Sequence, residues 1–519
     1  MRSFVIGTKQ TFFFILFNFF ISFDGLSSKR LEPKQFCMRC HGRVRPQQLP
    51  REKWTGIIEQ MYRYAGSLET FNGKDEYRPD YLMIFKESPF KLDKKNIPLL
   101  KTTIAAFTKE APSMNDFVKQ YPNPGLVLGK KFIKRVGAKK VIPFLSHIQY
   151  VNWKEKGSVK RLVLMSDMVK GFISSYDLDK KSTKIILRVK HPSHFEVVDL
   201  NKDGLLDLIV SDLGQLMTSK TSEGKILWFE NDGKGDFKKH ILAENLGRCA
   251  DVRFGDYDKD GDIDLVAADF GYMRGKVFLL KNIAQKGKAP KFKQVLIDSL
   301  SGAINSEFVD FNNDGLLDIV AVYSQEHEKI IAYYQTKNGF DRKVLADAGN
   351  PGWGSSGMTI GDIDKDGDMD ILWLNGDIMD NFIVKPNQGL YLLENKGKGK
   401  LTKKFLGFFP GIHKAKIGDV DGDGDPDIVG VSALFPFGVK PKNITSIAWF
   451  ERKKNGDYKM HPIETNNNQH FSLILNDVDQ DKDLDLIIAN ASMKHLGGPP
   501  PKKRPKGSLP WIDIFENKN

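Results

Sequence analysis

Cysteine is scarce in this chain of 519 residues: there are three, an odd number, and a disulfide framework is a poor account of them. Cys37 and Cys40 stand together, and the leftover Cys249 reads as a small buried apolar side chain. Beyond the N-terminal segment no apolar run approaches the roughly 20 residues that span a bilayer. Gly-x-Ser-x-Gly, His-Glu-x-x-His and a phosphate loop are all absent, so the common hydrolase and nucleotide signatures are missing. Acidic surplus is lacking too: 78 Lys and Arg against 65 Asp and Glu leave a formal charge of +13. What is present is 40% apolar residues, enough to bury a core, and 46 glycines, which imply many turns. The length exceeds one ordinary compact domain unless most of it is a repeat architecture, a barrel or a propeller.

The N-terminus reads as an export signal over residues 1–28. Arg2 and Lys9 precede the apolar run Phe12 to Phe23, interrupted by Asn18 and Ser22, and Gly25, Ser27 and Ser28 are small residues suited to cleavage. The mature chain is expected to begin between Ser28 and Leu31, in the periplasm or outside a bacterial cell, with no membrane span left. An uncleaved leader serving as an anchor is the alternative.

Behind the leader stands Cys37-Met38-Arg39-Cys40-His41. Covalent haem c attachment needs two thiols spaced to meet two vinyl groups and an adjacent imidazole beneath the iron, and this pentapeptide supplies all three. A local disulfide is the other reading. Two amphipathic segments follow that suit the walls of a haem pocket: Trp54, Ile57, Ile58, Met61, Tyr62 and Ala65, then Ile97, Leu100, Ile104 and Phe107. A small helical domain is therefore expected over residues 29–125. The sixth ligand stays open between two methionines, either of which also suits a core. Met83 precedes the second helix, where small class I cytochromes c commonly carry their axial methionine. Met61 fits a Trp-then-Met pattern that resembles propeller-fused cytochromes of exported bacterial proteins.

After Ala111-Pro112 the chain turns to strands and turns, and self-similarity appears at a period of roughly 55 residues. Six acidic nonapeptides anchor it. Each is preceded by a short strand, such as "FEVVD", and followed by an apolar strand such as "LIVSD", a second like "GKILWFEND" and a third like "FKKHIL". Four strands per repeat is the content of a propeller blade. The earlier segment "HIQYVNWKEKGSVKRLVLMSD" has the same frame without the acids, which makes seven blades across residues 126–519. The fold expected is mainly β, a seven-bladed β-propeller behind a small α-helical cytochrome c-like domain.

The nonapeptides place acids or amides at positions 1, 3, 5 and 9. These are Asp199, Asn201, Asp203 and Asp207; Asp256, Asp258, Asp260 and Asp264; Asp310, Asn312, Asp314 and Asp318; Asp362, Asp364, Asp366 and Asp370; Asp419, Asp421, Asp423 and Asp427; Asp477, Asp479, Asp481 and Asp485. Position 7 adds a backbone carbonyl, from Leu205, Asp262, Leu316, Asp368, Asp425 and Asp483, and position 6 is glycine except at Lys482. Converging oxygens of this kind suit a hard cation, so calcium is expected in five or six loops, with the last in doubt because of Lys482. The loop is like the first half of an EF-hand loop but lacks its twelfth-position glutamate, Val210 and Ala267 standing there in two copies. An acidic turn held by side-chain hydrogen bonds alone is the competing reading.

Blades of this form resemble the FG-GAP or VCBS repeat family, the calcium-loop propellers also found in integrin α-subunit heads. The resemblance implies a propeller with structural ions in its inter-strand turns. It implies little about activity, because such propellers bind proteins, carbohydrates or no known ligand.

If the acidic loops occupy one face, the other face holds the channel mouth. The second strands end there at Asp167, Asp212, Asp269, Tyr323, Asn375, Ser432 and Asn490, and the first strands begin there near His147, His194, Asp251, Asn305, Gly357, Lys414 and Ser472. His147, His194, Asp167, Asp212, Asp251 and Asp269 are the candidate functional cluster, able to hold a metal, move protons or bind a polar ligand. Backbone capping around a wet channel is the plainer role for each. The basic balance, with "PPPKKRPKG" at Pro499 to Gly507, points to an anionic polysaccharide or a redox protein as partner, and export sets nucleic acid aside. Two functions follow: an exported haem c electron-transfer protein on a calcium-stabilised propeller, or a non-redox binding module or carbohydrate-active enzyme. Some polysaccharide lyases are similar to such a propeller.

Overall fold

Seven antiparallel four-stranded sheets follow one another through the chain. The structure, a computed structural model, describes residues 51, 52, 54, 105–111, 134–136 and 143–517, apart from 156, 217–220, 272–273, 286, 326, 379–383, 398, 435–443 and 493–510. The innermost strands are Leu145–Glu155, Pro192–Val198, Cys249–Gly255, Ala303–Val309, Ser355–Gly361, Ile412–Gly418 and His470–Asn476, in blades 1 to 7. Strands pair in chain order outward within blades 1 to 6, as in a propeller.

Burial explains the strand sequences. In the second strands of blades 2 to 7, for example Asp264–Asp269 and Asp318–Tyr323, all six residues are buried, and in the longer second strand of blade 1, Ser158–Asp167, the last six are. Neighbouring blades cover both faces of the sheet, so these strands read as continuous apolar runs without alternation. Separate apolar cores lie between successive blades: Leu164, Phe195 and Leu227 between blades 1 and 2, and Phe311, Trp373 and Tyr391 between 4 and 5. Met165, Ile487 and Trp511 close the circle between 7 and 1. The outer strands face solvent on their far edge, and in Ser182–Arg188 the burial falls away accordingly.

The ring is closed by a segment that sequence pattern did not show. Lys134–Val136 pairs with Ile512–Phe515, matching Lys134 to Ile514 and Val136 to Ile512, and becomes the outermost strand of blade 7. Blade 7 has only three strands of its own. The early strand covers an edge that would otherwise present unpaired backbone groups.

Each acidic hairpin is built around its ninth-position aspartate. Asp264 accepts the backbone N–H of Tyr257 at 3.0 Å and of Asn282 at 2.6 Å, and Asp318 accepts those of Phe311 and Gln335 at 3.1 and 2.8 Å. One buried carboxylate thereby ties the loop to the end of the third strand. The first aspartate folds the loop itself: Asp199 accepts from Asp203 and Gly204, and Asp310 from Asp314 and Gly315. Position 6 is left-handed in every copy, with φ of 84° to 93° in the five glycines and 81° at Lys482. Adjacent loops are also joined. Lys202 of blade 2 donates to Gly261 O at 2.5 Å and to Asp262 at 2.7 Å in blade 3, Asn313 of blade 4 to Asp368 of blade 5, and Lys365 of blade 5 to Gly424 O of blade 6.

Of the expected helical domain, residues 51, 52, 54 and 105–110 are described and are helical. Trp54 and Phe107 are fully enclosed with ring centres 4.7 Å apart, and Arg51 Nη2 donates to Ala111 O at 3.3 Å, so the two segments pack together. Cys37, Cys40, His41, Met61, Met83, the leader and the Pro499 to Gly507 run lie outside the described residues. Among the described residues no helix is long and apolar enough to cross a membrane.

Candidate functional site in the propeller channel

Every innermost strand carries a bulge at the same place. Leu145 faces Asp167 and His147 faces Ser166, so Ser146 is the extra residue; Pro192/His194, Cys249/Asp251, Ala303/Asn305, Ser355/Gly357, Ile412/Lys414 and His470/Ser472 repeat the shift. A bulge kinks the strand and re-aims the residue that follows it. The extra residue is used as a stitch: Ser146 Oγ donates to Pro192 O at 2.8 Å and Ser193 Oγ to Cys249 O at 3.0 Å, each crossing to the next blade.

The residues after the bulge converge from different blades. The His147 and His194 rings lie 4.0 Å apart, and His194 Nδ1 lies 3.5 Å from Asp251 Oδ1. Asn305 Oδ1 approaches Gly357 so closely that a Cβ there would stand 3.0 Å from it. Two residues further along each strand a second ring points the same way. Glu196 Oε1 lies 2.9 Å from His194 Nε2 and accepts from Arg253 Nη1 at 3.1 Å. Arg253 Nε also donates to Asp251 Oδ2 at 3.1 Å, and its Nη2 lies 3.3 Å from Glu307 Oε1. One guanidinium from blade 3 therefore joins carboxylates of blades 2, 3 and 4. Lys414 and Lys416 of blade 6 are felt electrostatically by this group from across the channel.

These surroundings set the protonation states. Burial drives His147 well below the ordinary imidazole value, and the neighbouring His194 and Lys414 charges push the same way. His194 is also driven well below it, by burial and Arg253, against the pull of Asp251. Burial alone would lift Asp251, but Arg253 and His194 outweigh it and the net shift is downward. Glu196 and Glu307 are raised, chiefly by burial. Lys414 is lowered to about 8 by burial with Arg253 and Lys416 beside it. The channel thus pairs neutral imidazoles with a carboxylate–guanidinium network, a setting for polar binding or proton movement.

The structure divides the sequence-derived cluster. His147, His194 and Asp251 meet. Asp167, Asp212 and Asp269 instead cap backbone: Asp167 accepts from Phe144 at 3.0 Å and Lys170 at 2.8 Å, Asp212 from His191 at 2.9 Å and Gly214 at 3.0 Å, and Asp269 from Gly247 at 2.9 Å and Arg248 at 2.6 Å. Glu196, Arg253, Glu307 and Lys416 were missed by sequence reasoning. Their signal was the strand period of two counted on from the mouth positions. Cys249 is a fully buried free thiol at the start of its strand, its pKa raised by burial. Outside the channel, between blades 1 and 2, an open cleft of about 800 Å³ is lined by Lys170, Arg188, Lys190, Lys225 and Lys239 together with Asp212, Glu223 and Glu244.

The acidic loops lie at the opposite strand ends. Carboxylate oxygens of Asp256, Asp258 and Asp260 come within 4.8 Å of one another, as do those of Asp362, Asp364 and Asp366, of Asp419, Asp421 and Asp427, and of Asp477, Asp479 and Asp485. In blade 3, Asp256 Oδ1 and Asp258 Oδ1 are enclosed with no hydrogen-bond partner. Two orphaned oxygens beside a third carboxylate are part of the oxygen set that a hard cation takes, and Asp258 Oδ2 is paired with Lys281 at 2.6 Å. In blades 2 and 4 the third-position asparagine bonds the fifth-position aspartate, Asn201 to Asp203 at 2.9 Å and Asn312 to Asp314 at 3.0 Å.

Residues 199–267 and 285–373 match the family described as FG-GAP-like repeat. No curated protein matches the chain. Among solved structures, a chain in a crystal structure of a nidogen/laminin complex is similar at 10% identity and a TM-score of 0.34, over 56% of this chain and 90% of that one. The rhamnogalacturonan lyase YesW is similar at 13% identity and 0.39, over 73% and 75%, and the Bacillus licheniformis rhamnogalacturonan lyase PL11 at 14% and 0.39, over 70% and 74%. At such values the likeness says nothing about activity. With seven blades paired strand by strand and the repeat model matched across their middle, the chain carries FG-GAP-like repeats folded as a seven-bladed β-propeller.

Proposed function

We propose that this chain is an exported haem c electron-transfer protein whose propeller is held by calcium and presents a binding site for a partner or substrate. The observation that carries the redox reading is the pentapeptide Cys37 to His41 behind a leader-like segment. In this reading Cys37 and Cys40 attach the haem, His41 is the proximal ligand, and Met83 or Met61 is the sixth. Bound haem supplies one-electron exchange; Trp54 and Phe107, packed together, belong to the apolar wall that keeps water from it. The acidic loops hold calcium, supported by the orphaned oxygens of Asp256 and Asp258. The ion there is structural, offsetting the mutual repulsion of the clustered carboxylates.

The test is expression with c-type maturation. A full-length band should stain for haem on a denaturing gel and vanish in Cys40→Ala, and only one of Met83→Ala and Met61→Ala should lose the ferric charge-transfer band. An unstained wild-type band from a maturation-competent host ends the redox reading.

A second reading, a non-redox binding module or carbohydrate-active enzyme, is favoured by the charged channel and the basic cleft beside it. It predicts that a Cys37→Ala, Cys40→Ala variant keeps full affinity for an anionic polysaccharide.

A further inference from the structure

The cleft between blades 1 and 2 is shaped by close backbone contacts. Gly171, left-handed at φ 70°, lies against the chain that leaves the outer strand Ser182–Arg188: a Cβ there would stand 2.7 Å from Val189 O, and Val189 N–H donates to Gly171 O at 3.2 Å. That contact brings Lys170, Arg188 and Lys190 together at the cleft. In blade 2, Gly214 presses on the backbone of Glu223. Glu223 in turn bridges the two blades, accepting from Gln215 Nε2 at 2.7 Å and from Lys190 Nζ at 2.5 Å. The outer strand Phe237–Leu246 supplies Lys239 and Glu244. Most of the charge here is matched. Lys190 is held by Glu223, Lys225 lies 3.6 Å from Glu244, and Lys170 acts on the buried Asp167. Arg188 and Lys239 differ: both are exposed and have no carboxylate partner among the described residues, and the Arg188 guanidinium rests 5.9 Å from the centre of the Phe172 ring.

We infer that this cleft binds a short segment of an acidic polysaccharide, its uronate carboxylates taken by Arg188 and Lys239 and its hydroxyls by the paired charges around them. Arg188 offers a planar fork that matches a carboxylate, and Lys239 a compact charge with three donors. A ligand that is anionic throughout would meet repulsion from Asp212, Glu223 and Glu244. A sugar instead uses such carboxylates as acceptors for its hydroxyls, and Ser222 and Asn245 add neutral partners in the lining. The volume of about 800 Å³ falls within the roughly 300–1,000 Å³ of ligand sites, and because the cleft is open it suits a few residues of a longer chain. The formal charge of +13 draws a polyanion to the surface. This inference rests on the reading of the propeller as a module for an anionic polysaccharide, names the site, and does not depend on haem.

The experiment is isothermal titration calorimetry on the full-length protein at neutral pH and physiological ionic strength, with tetragalacturonate, its methyl ester and tetraglutamate as probes. Tetragalacturonate should bind saturably, and the uncharged ester and the hydroxyl-free peptide at least tenfold more weakly. The double variant Arg188→Gln, Lys239→Gln should lose at least tenfold in affinity for tetragalacturonate, and Lys239→Gln alone should lose part of that. The pair Lys293→Gln, Lys459→Gln removes the same charge from exposed positions on the outer strands of blades 3 and 6 and should lose none. Tetragalacturonate binding that is unchanged in the Arg188 and Lys239 variants, or equally reduced in the control pair, overturns the inference and leaves the polysaccharide reading standing. Absence of binding overturns both. Tetraglutamate bound as tightly as tetragalacturonate overturns the inference in favour of an acidic protein partner.

Discussion

Lys482 tests what the acidic loops require of position 6. Its φ is 81°, where Gly204, Gly261, Gly315, Gly367 and Gly424 sit between 84° and 93°. A residue with a Cβ spends about 1–2 kcal/mol to hold that conformation, while glycine loses roughly 0.5–1 kcal/mol through the greater freedom of the unfolded chain. No backbone contact changes: Lys482 N–H donates to Asp477 Oδ2 at 3.1 Å, as Gly261 N–H does to Asp256 Oδ2 at 3.1 Å. The lysine side chain is exposed, so little packing is lost. Lys482→Gly is therefore expected to stabilise the propeller by roughly 0.5–1 kcal/mol, and Gly261→Lys to cost about as much. In a domain of this size that is a shift of about 0.5–1 °C in melting temperature. Circular dichroism melts in saturating calcium read it, and a calcium titration should show tighter binding in Lys482→Gly because a cation has left the vicinity of Asp477, Asp479 and Asp481. A lower melting temperature for Lys482→Gly, or a neutral Gly261→Lys, would refute the reasoning.

If the loops hold calcium as proposed, chelation should lower the melting temperature of the propeller and leave the spectrum of the proposed haem nearly unchanged, since binding to the folded state contributes about 2.7 kcal/mol per site at 100 times the dissociation constant; an unmoved melt contradicts calcium in the loops. Asp212→Ala should cost about 1–3 kcal/mol, because the His191 and Gly214 N–H groups lose their shared acceptor, and a denaturant titration showing no loss would return Asp212 to the list of ligand-binding candidates. Acid should destabilise the propeller through its buried histidines. Burial holds His147 well below the ordinary value and, with Lys414, holds His413 at about 4, so below about 6.5 the unfolded chain binds more protons than the folded one. Their stabilising contribution is present above that pH and is lost as pH falls, by up to about 1.4 kcal/mol per unit for each group. The His147→Gln, His413→Gln variant should show a flatter stability profile between pH 6.5 and 4.5 than the wild type at the same calcium, and an equal slope would mean that these imidazoles titrate normally.

Local chemistry made much of this protein legible before any coordinates. The nonapeptides from Asp199 to Asp485 declare themselves because a tight left-handed turn demands glycine and a ring of loop donors demands carboxylates, both within a few residues of one another. Second strands such as "LVAAD" are legible because covering on both faces leaves no polar alternation. Counting these units yields seven blades and even the mouth positions His147, His194 and Asp251, since the strand period carries direction along each blade. The period does not carry partnership between blades. Asp212 and Asp251 look alike in sequence, yet one caps His191 and Gly214 in its own blade's approach while the other meets Arg253 and lies beside His194 of a neighbouring blade. The joining of Arg253 to Glu196 and Glu307, the reach of those carboxylates to Lys416 of blade 6, and the capture of Lys134–Val136 by blade 7 exist only once the ring has closed. Closure brings together side chains from strands far apart in the chain, and burial in the lumen then sets their charge. Sequence determined the blade and its loops, because those contacts are local; tertiary structure alone decided what the channel holds.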